Sequence, residues 1–189
     1  MEATEDSQPI GASPPAATHA RAYPILFWGA AVGVVLLDQA TKAIVRTSLD
    51  RGESWPDWDM PFRLTHVVNS GAAWGILQDQ TAFLIIMATI GIGAIYLYYR
   101  NPPYNHGTAT LGIGLLLGGA LGNLIDRVRL GHVTDFLDPD NFPTFNVADS
   151  AINVGIAVLV IGYLVWGVRE DQPSKTDTTE PDATSPTDG

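Results

Sequence analysis

The sequence predicts a mainly α integral membrane protein: four transmembrane helices with a small β-sheet between spans 1 and 2. Three observations carry the prediction. Four runs are nearly free of charge, each close to the ~20 residues a helix needs to cross a bilayer. They lie near 23–45, 81–99, 108–125 and 150–168, with polar tails outside them and an alternating stretch between the first two. A buried helix of a soluble domain could imitate one such run. Four within 189 residues, with 46% apolar and only 16% charged, argue against that reading.

The first run, Tyr23 to Leu37, extends through Val45 if Asp38 and Lys42 are tolerated inside it. Met1 to Ala22 is acidic and polar, with no hydrophobic stretch, so a cleavable signal peptide is not expected. The first span would then act as an uncleaved insertion signal. The second run closes on Tyr96, Tyr98 and Tyr99, and Trp166 sits near the end of the fourth, as interfacial anchors would. In the third run Gly114, Gly118, Gly119 and Gly122 recur at intervals of four or three, a spacing that lets a helix pack closely.

Residues 1–22, rich in Ala, Pro and Ser, and 170–189, rich in Asp, Glu, Thr, Ser and Pro, are expected to be disordered tails. They hold 9 of the 20 acidic residues, so the net charge of -10 says little about the membrane core. No nucleic-acid partner is expected. Four spans put both termini on one side. Arg21, Arg100, Arg169 and Lys175 fall on that side, against Lys42, Arg46, Arg51, Arg63, Arg127 and Arg129 on the other. Charge bias alone therefore does not choose the orientation.

Between spans 1 and 2, in "PFRLTHVVNSGAAWGIL", Phe62, Leu64 and His66 alternate with Arg63 and Thr65, which predicts a strand; Ser70 and Gly71 then signal a turn. Trp55, Trp58 and Trp74 nearby suggest a sheet at the membrane surface. The segment Asp126 to Ser150, between spans 3 and 4, has too few apolar residues for a core of its own.

Polar groups in or beside the apolar runs are costly and mark a protein interior or a wet cavity. Asp38 and Lys42 are spaced i, i+4 in the favourable acid-first order. They are either a local neutralising pair or part of a substrate site. Asn123 and Asp126 are i, i+3 at the end of the third run, and Asn146, Asp149 and Asn153 share a helical face at the start of the fourth. Asp126, Asp135 and Asp149 thus gather at one end of two adjacent spans. Neighbouring carboxylates in a low dielectric tend to share a proton, the arrangement by which an aspartic protease activates water. The same cluster would also suit a proton-coupled channel or carrier, or a purely structural polar network. Carriers, however, usually show inverted repeats, and none is visible here. Spacing does not separate Asp126 from Asp135.

Other chemistries find less support. His19, His66, His106 and His132 have no metal-ligand spacing, so neither a metal nor another cofactor is expected. The absence of cysteine excludes disulfides, a thiol nucleophile and a lipid-modified cysteine in the chain itself. Ser70 with Lys42 could in principle form a serine and lysine pair, but Asp38 already stands at salt-bridge spacing from Lys42.

The motifs "DQATK" (38–42), "NSGAAWG" (69–75), "GGALGNLIDR" (118–127), "VTDF" (133–136) and "FNVADSAINVG" (145–155) resemble, in order, those of the lipoprotein signal peptidases, or signal peptidase II. The resemblance covers roughly 23–168. It implies a bacterial inner-membrane aspartic endopeptidase that removes the signal peptide of prolipoproteins just before their diacylglyceryl-modified cysteine. It places the catalytic pair at Asp135 and Asp149. Asp38, Lys42, Asn69, Asn123, Asp126, Arg127 and Asn146 match positions that support the site or hold substrate. The neighbouring Arg127 suggests an ion-paired, structural Asp126. The resemblance also implies a peptidase domain over 23–169, cytoplasmic termini, an extracytoplasmic sheet and a site near the outer membrane surface. Prolipoproteins and membrane lipids would be its partners, with the chain itself a monomer. The family's "VVDF" stands here as "VTDF", so Thr134 either hydrogen-bonds toward Asp135 or faces away. The segment Arg46 to Gln80 is a candidate lid.

Overall fold

The computed structural model describes residues 23–71, 77, 80–101 and 106–167. Both expected tails, Trp74 and the side chain of Trp166 lie outside the described residues, as does most of the candidate lid beyond Gly71.

Helix α1 runs Pro24–Ser48, opening on a proline whose missing N–H costs nothing in a first turn. Helix α2 is Thr81–Arg100, α3 is Gly107–Leu130 and α4 is Val147–Gly162, continued by a π-helical turn at Tyr163–Gly167. Among the described residues, four helices are long and apolar enough to span a membrane, the last over Val147–Val165. Their outer residues fit that solvent. Ile25, Val32, Leu36, Ile86, Ile90 and Val160 are exposed, which is costly in water and natural against acyl chains.

Helix α3 continues past the apolar run, through Asp126, Arg127 and Arg129, and stops at Gly131. Gly131 takes φ 78°, a left-handed cap that other residues adopt at a cost, and its N–H returns to the Arg127 carbonyl. Arg127 and Arg129 in the last turn suit the negative end of the helix dipole.

Helix α3 is the axis of the bundle, packed on α1, α2 and α4. The predicted role of its glycines holds. A Cβ on Gly118 would lie 2.7 Å from the Ala31 carbonyl oxygen of α1, and one on Gly119 would strike the Ala148 carbonyl of α4. Close backbone approach on two sides is what lets polar groups from α1, α3 and α4 meet. The apolar core is small: Phe27, Ala31, Tyr99, Ile113 and Leu117. Tyr99 corrects an expectation. Unlike Tyr96 and Tyr98, it is buried and stacks on Phe27 with ring centroids 3.6 Å apart, so it is core, not an interfacial anchor.

The sheet has three antiparallel strands in chain order: β1 Ser54–Trp55, β2 Phe62–Asn69 and β3 Val133–Pro139. The predicted strand between spans 1 and 2 is β2. Its longer partner comes from between α3 and α4, a segment too poor in apolar residues to fold alone, which instead completes a sheet begun elsewhere. The register steps from Leu64↔Leu137 to Val67↔Asp135, so Thr65 and His66 together oppose Phe136 in a bulge. The chain then doubles back. Phe145 exchanges backbone hydrogen bonds with Leu137 at 2.8 and 3.0 Å, which delivers Asn146 beside Asp135.

Candidate active site

The structure gathers the predicted polar residues into one buried network at the end of α1, α3 and α4 nearest the sheet. Its base is an ion cluster. Lys42 Nζ lies 2.9 Å from Asp38 Oδ2 and 3.2 Å from Asp126 Oδ2, and donates to Asn123 Oδ1 at 3.0 Å. Asp38, Lys42 and Asp126 are all sealed from solvent. The i, i+4 pair of α1 is therefore real and also tertiary, because Asp38 Oδ1 accepts the Ala148 N–H of α4 at 3.0 Å. Three donors of an ammonium meeting three acceptors leave Lys42 no lone pair to offer, which removes it as the base of a serine mechanism.

Asp126 belongs to this base. Besides Lys42, its oxygens face Arg46 Nη1 at 3.7 Å, the Thr134 N–H at 3.1 Å and Gln39 Nε2 at 3.2 Å. The prediction that it is ion-paired holds, with a different partner. Arg127, its sequence neighbour, instead donates to the Gly71 carbonyl at 3.2 Å and steadies the chain just after Asn69. Thr134 faces away from Asp135: its hydroxyl accepts from Arg46 at 3.1 Å.

Above the ion cluster lies a layer of amides, and the amides hold two carboxylates. Asp135, on β3, accepts from Asn69 Nδ2 at 2.8 Å and from Asn146 Nδ2 at 2.6 Å. Asp149, in the first turn of α4, accepts from Asn123 Nδ2 at 2.8 Å and from the Asn146 N–H at 3.2 Å. Asn146 caps α4 by taking the Asp149 N–H on its own Oδ1 at 3.0 Å, a reciprocal capping box. Each amide is oriented by its neighbours: Asn123 Oδ1 receives Lys42 and Asn146 Nδ2, so only its Nδ2 can turn to Asp149. Asn69 is itself held, its Oδ1 taking the Gly71 N–H at 2.9 Å.

Electrostatically, the Asp135 carboxyl is strongly perturbed. Burial is the main cause and pushes its carboxyl up to about 6. The Asn69 hydrogen bond opposes that rise, the charge of Asp149 adds to it, and Asn146 and Lys42 oppose it. Two carboxylates that feel each other, both braced by neutral amides, suit a shared proton.

Every predicted site residue takes part in, or borders, this network. Asn153 does not reach it. It is exposed, and its amide bonds back to the Asp149 carbonyl at 3.0 Å. The sequence reading gave no site role to Gln39 or Arg46, and of the two orientations it left open for Thr134 the structure shows the one facing away from Asp135. Arg46 had a signal, since it continues the i, i+4 series from Asp38 and Lys42 along one face of α1. Among the described residues, no group of three His, Cys, Asp or Glu is arranged to hold a metal.

The sequence pattern of the signal peptidase (SPase) II family matches residues 30–165. The chain belongs to the signal peptidase II family. It is similar to the lipoprotein signal peptidase of Halothermothrix orenii, 43% identical over 128 residues, which are 68% of this chain and 88% of that protein. The lipoprotein signal peptidase of Geobacillus kaustophilus is 42% identical over 148 residues, covering 76% of this chain and 96% of that one. A bacterial membrane enzyme solved by the in meso method at 2.3 Å resolution superposes with a TM-score of 0.74 at 34% identity, over 80% of this chain and 94% of its own. A second, solved by the same method at 1.9 Å, gives 0.69 at 36% identity, over 75% and 94%. As a signal peptidase II family member, the chain is a peptidase, with four helices suited to a membrane.

Proposed function

We propose that this peptidase cleaves the signal peptide of diacylglyceryl-modified prolipoproteins before the lipidated cysteine, with Asp135 and Asp149 as the reacting pair. The observation that carries the reading is Asn146, which bonds both aspartates and sets them side by side. Membership of the family supports the substrate.

The pair carries one proton between its two carboxyls. The ionised carboxyl takes a proton from water as the water oxygen bonds to the peptide carbonyl carbon, and the protonated one gives its proton to the carbonyl oxygen. Collapse of the resulting diol breaks the C–N bond and transfers a proton to the leaving nitrogen. The pair is left again with one proton. Buried, preoriented amides from Asn69, Asn123 and Asn146 keep each carboxyl aimed without neutralising it. The ion cluster of Asp38, Lys42, Arg46 and Asp126 acts as the foundation and does not touch the reacting atoms.

The peptidase domain spans 23–169 between tails and works as a monomer in the bacterial inner membrane. Its termini are cytoplasmic and its site lies near the outer surface, open sideways to lipid, since signal helix and diacylglyceryl group both reach it through the bilayer. A channel or carrier would need a polar path through the bundle; the carboxylates here sit at one end.

A gel-shift cleavage assay on a lipidated prolipoprotein tests the reading. Folded Asp135→Asn and Asp149→Asn variants should be inactive, whereas folded Asp126→Asn should retain a residual rate. Full turnover by folded Asp135→Asn would sink the assignment.

A further inference from the structure

Asp138 lies on β3 three residues beyond Asp135, and no step of the mechanism uses it. Its Oδ2 accepts the Thr65 hydroxyl at 2.6 Å and its Oδ1 accepts the Thr144 hydroxyl at 3.1 Å. Arg63 Nη2 stands 3.9 Å away as a counter-charge. Because Thr65 gives its only hydroxyl proton to Asp138, the 2.8 Å contact between Ser54 and Thr65 must run from Ser54 to Thr65. A relay thus crosses all three strands, Ser54 to Thr65 to Asp138, and Thr144 joins it from the returning chain.

Both anchoring threonines occupy sensitive places. Thr65 is one of the two bulged residues of β2, four before Asn69, which holds Asp135. Thr144 is two residues before Asn146, which holds Asp135 and caps Asp149. The Leu137–Phe145 bridge lies between this clasp and the two aspartates. We propose that Asp138 is a positioning residue: by joining Thr65 to Thr144 it locks the bulge and the returning chain into one frame, and so sets where Asp135 stands relative to Asn146 and Asp149. Bulges near active sites commonly re-aim side chains, and this one is pinned through its own hydroxyl. A displacement near 1 Å at reacting groups costs about 100-fold in rate, so the clasp has leverage without touching substrate.

The inference rests on the reading of Asp135 and Asp149 as the reacting pair. Its test compares Thr144→Val, which removes the hydroxyl at constant shape, with Thr144→Ser, which keeps it, in steady-state cleavage of a lipidated prolipoprotein. Thr144→Val should lower kcat by about 10- to 100-fold with KM unchanged, and Thr144→Ser should restore it. Asp138→Asn, which keeps the volume and loses one acceptor, should match Thr144→Val and serves in its place if that variant unfolds. A kcat within about 2-fold of wild type, a loss expressed in KM instead, or failure of serine to restore would overturn the positioning role. Asp135→Asn, assayed alongside, separates the two readings. If it is inactive while the Thr144 and Asp138 variants are normal, only this inference falls; if it cleaves, the reacting pair and this inference fall together.

Discussion

Asn146 and Asp135 meet at 2.6 Å, amide to carboxylate, while the same Asn146 side chain caps the helix that carries Asp149. One residue therefore performs two separable tasks. Serine caps helices about as well as asparagine but is too short to reach Asp135. Both variants lose the buried amide donor, so the cap is read from their difference: Asn146→Ser should be more stable than Asn146→Ala by about 1 kcal/mol. Both should lose about 100-fold in turnover. Melting curves in detergent beside cleavage rates check this; a fully active serine variant would mean the Asp135 contact is dispensable.

Lys42 supplies the central positive charge of the base. Among the described residues, Lys42→Met leaves Asp38 buried with no cation, and Asp126 with only the more distant Arg46. Breaking a buried pair by removing one partner costs about 3–5 kcal/mol. The melting temperature should fall sharply, and adding Asp38→Asn should recover part of the loss. If the double variant melts no higher than the single, the cost lies in packing and not in the orphaned carboxylate.

Thr134 tests the strand's alternation. Adjacent strand residues point to opposite faces, and Thr134 bonds Arg46 and Asp126 while Asp135 turns to the amides. Thr134→Val leaves Arg46 its Asp126 partner and partial solvent access. Turnover should stay within about 2-fold of wild type, and the pH profile of kcat/KM should not move. A shifted profile would show that the hydroxyl reaches the reacting pair after all.

The four spans were legible because a bilayer demands long apolar runs, and strand β2 because its alternation is local. The carboxylate cluster was legible from helical spacing and from placement at the ends of the runs. Strand β3 was not, since Val133–Pro139 acquires its partner only when two loops distant in sequence meet. The same limit hid the role of Arg46 and the partners of Asp126. That Asp126 pairs with Arg46 of α1, and not with adjacent Arg127, depends on how closely Gly118 and Gly119 let the helices approach. Tyr99 looked like an anchor because sequence shows that a residue is near a helix end, not which side of the helix it faces.

The raised Asp135 carboxyl makes stability depend on pH in a definite direction. Its ordinary value is 3.8 and burial lifts it to about 6, so the folded state favours the neutral form. Its contribution is complete below 3.8 and is lost as pH rises through about 6. The full span amounts to roughly 3 kcal/mol. Asp135→Asn carries no titrating group there. Its melting temperature relative to wild type should therefore climb between about pH 4 and pH 6, where the unfolded carboxyl is ionised and the folded one is not, and level off above that. The comparison is differential, so the amide's imperfect fit to Asn69 and Asn146 offsets both ends equally. A difference that stays flat across this window would mean that Asp135 is ionised in the folded protein throughout, and that burial does not govern its charge.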